Sequence, residues 1–469
     1  MNHDLLRTLQ SVLGPIGILE DSQDCAPFVE GARYGIGQAQ AVLQPRSVEQ
    51  AIATLAALHQ YGASFVLQGA NTGLVAGSTP DEGGKQFVLS LNRLKEPVLI
   101  DPIERTATVT AGVRLSELNE AAEKHGLFFP IDLGADPSIG GMIATNTGGA
   151  RLIKYGDVRA NLCSVDAWLP IGGAMPLTFG TPLRKNNTGV ELKHLLCGTG
   201  GALGVVLRAT VRLHPLPAQR ATALVVPTSA ASLMSLLAAL ERDFPEFTAS
   251  VEGMSQAAME AVFRHIPSVR NPFSDGIVPS YVVLVELVSS LSHATLSLTT
   301  LLEEWLGEML ENEVIEDAIF GDEEALWRIR HGISDALRHE GKVIAFDVSL
   351  PRRYFADFRA WGHAWLAQHY PSVRVCDFGH VADGGLHYNL VAPKTGPGAL
   401  TAEAIAILRS AILDKVVQEF SGSYSAEHGI GPYNRLFYEK YTPHGVRQIT
   451  GAIERILMPG IHCGNVHFD

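Results

Sequence analysis

A chain of 469 residues is too long for one ordinary hydrophobic core, so two or three domains are expected. With 46% hydrophobic and 18% charged residues it reads as globular, and a formal net charge of −13 argues against a nucleic acid or an anionic membrane as partner, while leaving small anionic substrates to a local basic pocket. Five scattered cysteines (Cys25, Cys163, Cys197, Cys376, Cys463) form no Cys-x-x-Cys pair, which fits a reducing compartment and offers no ligand set for an iron–sulfur cluster. The first residues lack a basic stretch followed by an apolar core, and no apolar run is long enough to span a membrane. A soluble, cytoplasmic protein is expected.

Residues 4–13 have the pattern of a short amphipathic helix. Ala41-Val42-Leu43 reads as a strand, and Ser47-Val48-Glu49-Gln50 as a capping-box opening to a helix reaching about Tyr61. The short apolar strand Ser64-Phe65-Val66-Leu67 then runs into Gln68-Gly69-Ala70-Asn71-Thr72-Gly73-Leu74-Val75-Ala76-Gly77-Ser78. A glycine-rich loop leaving a buried strand can bring several backbone N–H groups to a phosphate, although this one has neither a Walker A ending nor strict Rossmann spacing. A second small-residue stretch follows Asp132-Leu133-Gly134 at Pro137-Ser138-Ile139-Gly140-Gly141-Met142-Ile143-Ala144-Thr145-Asn146-Thr147-Gly148-Gly149. A third is Gly198-Thr199-Gly200-Gly201-Ala202-Leu203-Gly204-Val205. Such stretches let backbone press against an extended, phosphate-bearing ligand, and three of them make a bound dinucleotide the economical reading.

Further on, Gly379-His380-Val381-Ala382-Asp383-Gly384-Gly385-Leu386-His387-Tyr388-Asn389 lies between β-prone residues. Asp383-Gly384 suits a two-residue type I′ turn, which would set Val381 opposite Leu386 and His380 opposite His387, with Asn389 on the same face as His387. Two imidazoles so placed can share a metal ion. A carboxylate ligand could come from Ser425-Ala426-Glu427-His428-Gly429-Ile430-Gly431, leaving a coordination position open. Chance is the competing reading, since the chain has 17 histidines.

Taken together and in this order, these stretches resemble the FAD-binding PCMH-type (vanillyl-alcohol oxidase) fold, and the two histidine stretches resemble its D-2-hydroxyacid dehydrogenase branch of D-lactate and D-2-hydroxyglutarate dehydrogenases and the glycolate oxidase flavin subunit. The resemblance implies an α+β protein with a two-part FAD-binding domain over residues 1–214. An α/β cap with an antiparallel sheet would occupy 215–424, and 425–469 would return to the flavin. It implies FAD held by Gly69, Ala70, Asn71, Thr72, Gly73, Asp132, Pro137, Ser138, Gly141, Thr145, Asn146, Thr147, Gly200 and Val205. The flavin is expected to be non-covalent, because Thr72 stands where relatives carry a linking His. A divalent metal, Zn by its ligand types but with Mn, Fe or Co open, would sit on His380, His387 and Glu427. His428 would be the general base, a role suited to a side chain whose ordinary pKa is about 6.5.

In Leu326-Trp327-Arg328-Ile329-Arg330-His331-Gly332-Ile333-Ser334 the periodicity predicts a helix with Arg330 and Ser334 on one face. The resemblance makes Arg330, Ser334, Asn389 and His428 substrate-binding, with Arg330 suited to bidentate carboxylate recognition. There are departures. Ala345 stands where hydroxyglutarate enzymes have a Lys, with Lys342 three residues earlier, which weakens the dicarboxylate assignment and leaves a smaller or more apolar acid open. Gly198-Thr199-Gly200-Gly201 replaces the usual Ser-Glu-Gly, and the tail His462-Cys463-Gly464-Asn465-Val466-His467 carries metal-ligand types but reads as a terminus. The expected reaction oxidises a D-2-hydroxyacid to the 2-oxoacid and passes electrons to an electron-transfer flavoprotein or quinone, in a chain for which a homodimer is an admissible state. An oxygen-using oxidase of the same fold, a non-catalytic FAD-binding subunit of a larger complex and a flavin-free metallohydrolase compete with it. The last leaves the glycine-rich stretches without a purpose.

Overall fold

The computed structural model describes residues 3–172, 175–461 and 463–468. Its chain divides into two units. One comprises Met1–Gly149, Gly156–Leu216 and Glu427–Asp469, the other Ala150–Tyr155 and Pro217–Ala426.

In the first unit, Ala39–Leu43 and Phe65–Gln68 flank Gln86–Ser90 in parallel register, with Ile18–Leu19 antiparallel at the edge. The connecting helix Val48–Gln60 buries Val48, Ala51, Leu55 and Leu58, the 3–4–3 spacing of one helical stripe. Its cap differs from the predicted box by one residue. The Ser47 hydroxyl accepts from the Gln50 N–H at 3.2 Å, but the Gln50 side chain reaches back to the Arg46 N–H at 2.9 Å. Helix His3–Leu13 adds Leu5, Leu9 and Leu13 to the same core, which also holds Phe65, Phe87 and Trp168. A five-stranded antiparallel sheet follows in the order Leu99–Asp101, Thr106–Thr110, Val205–Arg212, Leu162–Trp168, Leu177–Gly180.

The tail is tied in by hydrogen bonds. Gly464 N–H donates to Phe65 O at 2.7 Å, Asn465 Nδ2 to Thr79 O at 2.6 Å, and Gln86 Nε2 to Asn465 Oδ1 at 2.8 Å. His462 lies outside the described residues.

The second unit is built on seven strands, each antiparallel to its neighbours, in the order Ile315–Phe320, Gln219–Pro227, Tyr281–Ser289, Thr248–Ser255, Phe378–His380, Gly385–His387, Asp347–Ser349. Thr248–Ser255 and Tyr281–Ser289 are buried at every position; the second is a near-continuous apolar run, the first a run of mixed small polar and apolar residues. Each run contains one buried carboxylate that has to be paired. Glu286 accepts from Arg151 Nε at 3.0 Å and from the Trp327 indole at 3.0 Å. Arg151 thereby anchors Ala150–Tyr155 in this unit, whereas the sequence reading left that segment with the first 214 residues.

Helix Glu323–Glu340 starts at Asp322, whose carboxylate accepts from the Ala325 N–H at 2.9 Å. It ends before Gly341, where a Cβ would lie 2.4 Å from Ala392 O. Its last residue, Glu340, is held by Arg264, His265 and Arg374. Burial alone would raise the Glu340 pKa, but these three donors outweigh it and lower it to about 2. A carboxylate whose folded pKa is depressed contributes stability above its unfolded value and loses it as pH falls through the folded one. Tm is therefore expected to decline from about pH 5 towards pH 2, and Glu340→Gln to flatten part of that decline; an unchanged profile in the variant would refute the assignment. Among the described residues, no helix is long and apolar enough to cross a membrane.

Candidate active site

In the second unit, His380 and His387 come together on the two short strands Phe378–His380 and Gly385–His387. Their ring centroids are 5.3 Å apart, edge to face, with a ring nitrogen of each within 4.8 Å of one on the other. The hairpin register is not the predicted one. Phe378, not His380, stands opposite His387, and residues 381–384 form a four-residue connection. A type I′ turn needs positive φ at both central residues, and Asp383 does not have it. Its carboxylate instead accepts the Gly385 N–H at 2.7 Å, while Gly384, at φ +83°, lies against Leu350 O, where a Cβ would sit at 2.1 Å. A slip of two residues preserves the face of the sheet, so the two imidazoles still converge.

Each histidine has a carboxylate directly opposite on the next strand. Glu252 is the register partner of His380 and Asp347 of His387. His380 Nδ1 lies 2.6 Å from Glu252 Oε1, and His387 Nδ1 lies 3.8 Å from Asp347 Oδ1. Glu252 is fully buried, and its other oxygen accepts from Arg330 Nε at 2.7 Å. Burial would raise the pKa of Glu252, but His380 and Arg330 outweigh it and hold it down to about 2. Arg330 also lies over the Phe378 ring, 4.5 Å from its centroid. It is a buried arginine rather than a solvated one, whereas Ser334, one turn on, is exposed.

Asn389 is buried, but the same-face argument from His387 does not hold. The strand ends at His387, and Asn389 lies in the crossover to Leu390–Ala392, which belongs to a separate three-stranded sheet. Ala345 is buried and Lys342 is exposed on the strand Lys342–Ile344 of that smaller sheet.

In the first unit, the three glycine-rich stretches are joined to one another. A Cβ on Gly69 would lie 2.2 Å from Ser138 Oγ, one on Gly200 2.6 Å from Val466, and one on Gly149 2.4 Å from Asp132 O. Gly198 and Gly200 donate to Ile143 O and Ala144 O at the end of helix Ile139–Thr145. Several of these glycines thus serve close approach of protein to protein. Gly73 and Gly134 differ: among the described residues, a Cβ on Gly73 meets only Ser78 Oγ at 3.9 Å, and one on Gly134 meets nothing within 4 Å.

The remaining first-unit residues fall as follows. Asn71 bonds Glu30 O and receives the Ser78 hydroxyl, fastening the loop to itself, with Ala70 and Thr72 half-buried beside it. Ser138 caps its helix through the Gly141 N–H, and Pro137 O accepts from Leu115. The Thr145 and Thr147 hydroxyls are 2.9 Å apart, and Asn146 binds Asp157. Val205 is fully buried in the core opposite Trp168. Glu427 opens the returning segment, and its carboxylate accepts from the Gly149 N–H at 3.3 Å; His428 follows, half-buried.

Sequence reasoning missed Glu252 and Asp347. The usable signal was Val251-Glu252-Gly253-Met254, a lone acid within an apolar strand that has to find a cation or donor once buried.

Comparison with known proteins identifies the family. Residues 39–176 match the FAD binding domain and residues 216–450 the C-terminal domain of FAD linked oxidases. The chain is 30% identical over 466 residues to a mitochondrial D-2-hydroxyglutarate dehydrogenase of Arabidopsis thaliana, covering 96% of this chain and 78% of that one. It is 32% identical over 398 residues to a D-2-hydroxyglutarate dehydrogenase of Xanthomonas citri pv. viticola, covering 83% and 81%. The solved structure of p-cresol methylhydroxylase with substrate bound superposes with a TM-score of 0.71 at 14% identity, over 97% of this chain and 94% of that one, which bears out the PCMH-type α+β fold. With an FAD binding domain followed by the FAD linked oxidase C-terminal domain, and with relatives at this identity along nearly its whole length, the chain belongs to the FAD-linked oxidase family.

Proposed function

We propose that this protein is an FAD-dependent D-2-hydroxyacid dehydrogenase that converts a substrate of the D-lactate or D-2-hydroxyglutarate type to its 2-oxoacid. The observation that carries the reading is the pair of imidazoles on one sheet face, each opposed by a strand carboxylate, beside the buried Arg330.

The residues fit both implied groups. Open space over Gly73 and Gly134 means that protein packing does not demand glycine there, whereas backbone lying against a flat cofactor would. His380 and His387 offer two donors for a divalent metal, for which the resemblance proposes Glu427 as the third, and a carboxylate on Nδ1 of His380 is the usual support for a ligating histidine. When bound, FAD would supply the hydride acceptor and the metal, Zn by its donors with Mn, Fe or Co also suited, would supply polarisation of the C2 hydroxyl. Arg330 uses Nε on Glu252, so its Nη edge would take the substrate carboxylate, with Ser334 and Asn389 as further donors. His428 would accept the hydroxyl proton on its imidazole.

Ala345, buried where a Lys would meet a distal acid, supports a short or apolar substrate side chain. The five free thiols suit work in a reducing compartment, which we place in the cytoplasm. Electrons would leave to an electron-transfer flavoprotein or a quinone rather than to oxygen, which oxygen-consumption measurements would decide.

The test is the visible spectrum of the purified protein under anaerobic addition of D-lactate, L-lactate and D-2-hydroxyglutarate. Flavin bands that bleach with a D-acid, fastest with D-lactate, are expected, and abolition of bleaching by a chelator brings in the metal. A protein that acquires no flavin bands after reconstitution with FAD would sink the proposal. Gly73→Val is expected to fold with an unchanged far-ultraviolet circular dichroism spectrum and yet lose most of its non-covalent flavin; full retention would place the cofactor away from this loop.

A further inference from the structure

We propose that Glu252 is a positioning residue that sets the tautomer of His380 and the orientation of Arg330 at once, coupling the metal ligand to the substrate-acid clamp through one buried carboxylate. This rests on the metal reading above.

Three donors converge on Glu252. His380 Nδ1 at 2.6 Å and the Ser250 hydroxyl at 3.3 Å point at Oε1, and Arg330 Nε points at Oε2 from 2.7 Å. Glu252 itself has no exposed surface, and the side chains of Arg330 and His380 are 11% and 9% exposed, so bulk water cannot substitute for a missing partner. A carboxylate satisfies this demand because both of its oxygens only accept. Accepting from Nδ1 keeps the imidazole proton there and leaves the lone pair on Nε2, the atom a metal would need. Register reinforces the arrangement: Glu252 and His380 are direct partners on adjacent strands, so the bond is built into the sheet rather than into a mobile loop.

A glutamine has the same shape but one donor end. Arg330 cannot accept, so the amide oxygen of Glu252→Gln must face Arg330 and its NH₂ must face His380 Nδ1. The imidazole proton then moves to Nε2 and blocks ligation. Removing the donor at position 330 as well lets the amide turn round and present its oxygen to His380.

The experiment measures Zn²⁺ affinity by chelator competition on wild type, E252Q, R330M and E252Q/R330M, together with the ¹⁵N shifts of His380 in metal-free protein. E252Q is expected to lose about 10–100-fold in affinity and to show Nε2–H, while R330M stays near wild type and the double variant recovers most of the loss. Wild-type affinity in E252Q, or a double variant weaker than E252Q, would overturn the inference, because a merely structural glutamate gives no rescue. If wild type takes up no metal, the metal reading fails separately, and the tautomer of its His380 still judges Glu252: Nδ1–H supports the assignment and Nε2–H refutes it. That wild-type measurement also decides the matter should E252Q fail to fold.

Discussion

Replacing His428 with alanine is expected to lower kcat by about 10²–10⁴-fold, the range for loss of a positioned general base. The residue sits on the short loop between Ala426 and helix Gly431–Tyr441, half-buried and next to Glu427, whose carboxylate is held by the Gly149 N–H. In the role proposed for it, it would act on the hydroxyl proton, so flavin and metal content should stay near wild type and the substrate dissociation constant should change far less than the rate of flavin bleaching, which collapses. Imidazole added to the buffer should restore part of the rate. The competing role is a structural histidine that holds the Glu427 segment in place. In that case H428A would lose metal and substrate affinity together, and imidazole would restore nothing.

Arg359→Met should destabilise the protein by about 3–5 kcal/mol, the cost of stranding a buried charge. Arg359, on helix Phe355–His369, binds Asp377 through Nη2 at 3.3 Å and through Nε, and its guanidinium lies 4.0 Å from the centroid of the Tyr281 ring. Burial alone would lower the pKa of Arg359, but Asp377 outweighs it and raises it further. Asp377 has no exposed surface, and Tyr281 beside it is buried too, with desolvation pushing its hydroxyl pKa well above the ordinary value. Because methionine keeps the packing of the arginine stem, the loss is mostly electrostatic. R359M/D377N should then recover a good part of it, as removing both charges avoids the stranded carboxylate. Urea unfolding of the single and double variants checks this. A loss under about 1 kcal/mol in R359M would mean that Asp377 finds water or a proton at little cost.

Much of the first unit was legible from local pattern. The apolar runs around Ala41 and Phe65, the serine ahead of Val48 and the 3–4–3 stripe through Leu58 specify strand, cap and helix with little help from distant residues. The glycine-rich stretches were visible too, but the division of labour among their glycines was not. Gly69 and Gly200 press on Ser138 and Val466, residues remote in sequence, while Gly73 does not, and no local rule distinguishes them.

At the site, residue types and alternation were enough to bring His380 and His387 to one sheet face, because strand parity survives any even slip. The tertiary structure decided the rest. It chose a four-residue connection over the Asp383-Gly384 turn because Gly384 packs on Leu350 and Asp383 bonds Gly385. It moved Asn389 off the hairpin and gave Arg151 to Glu286. It also supplied the two carboxylates behind the histidines, since which strand becomes a neighbour is a long-range choice that periodicity does not encode.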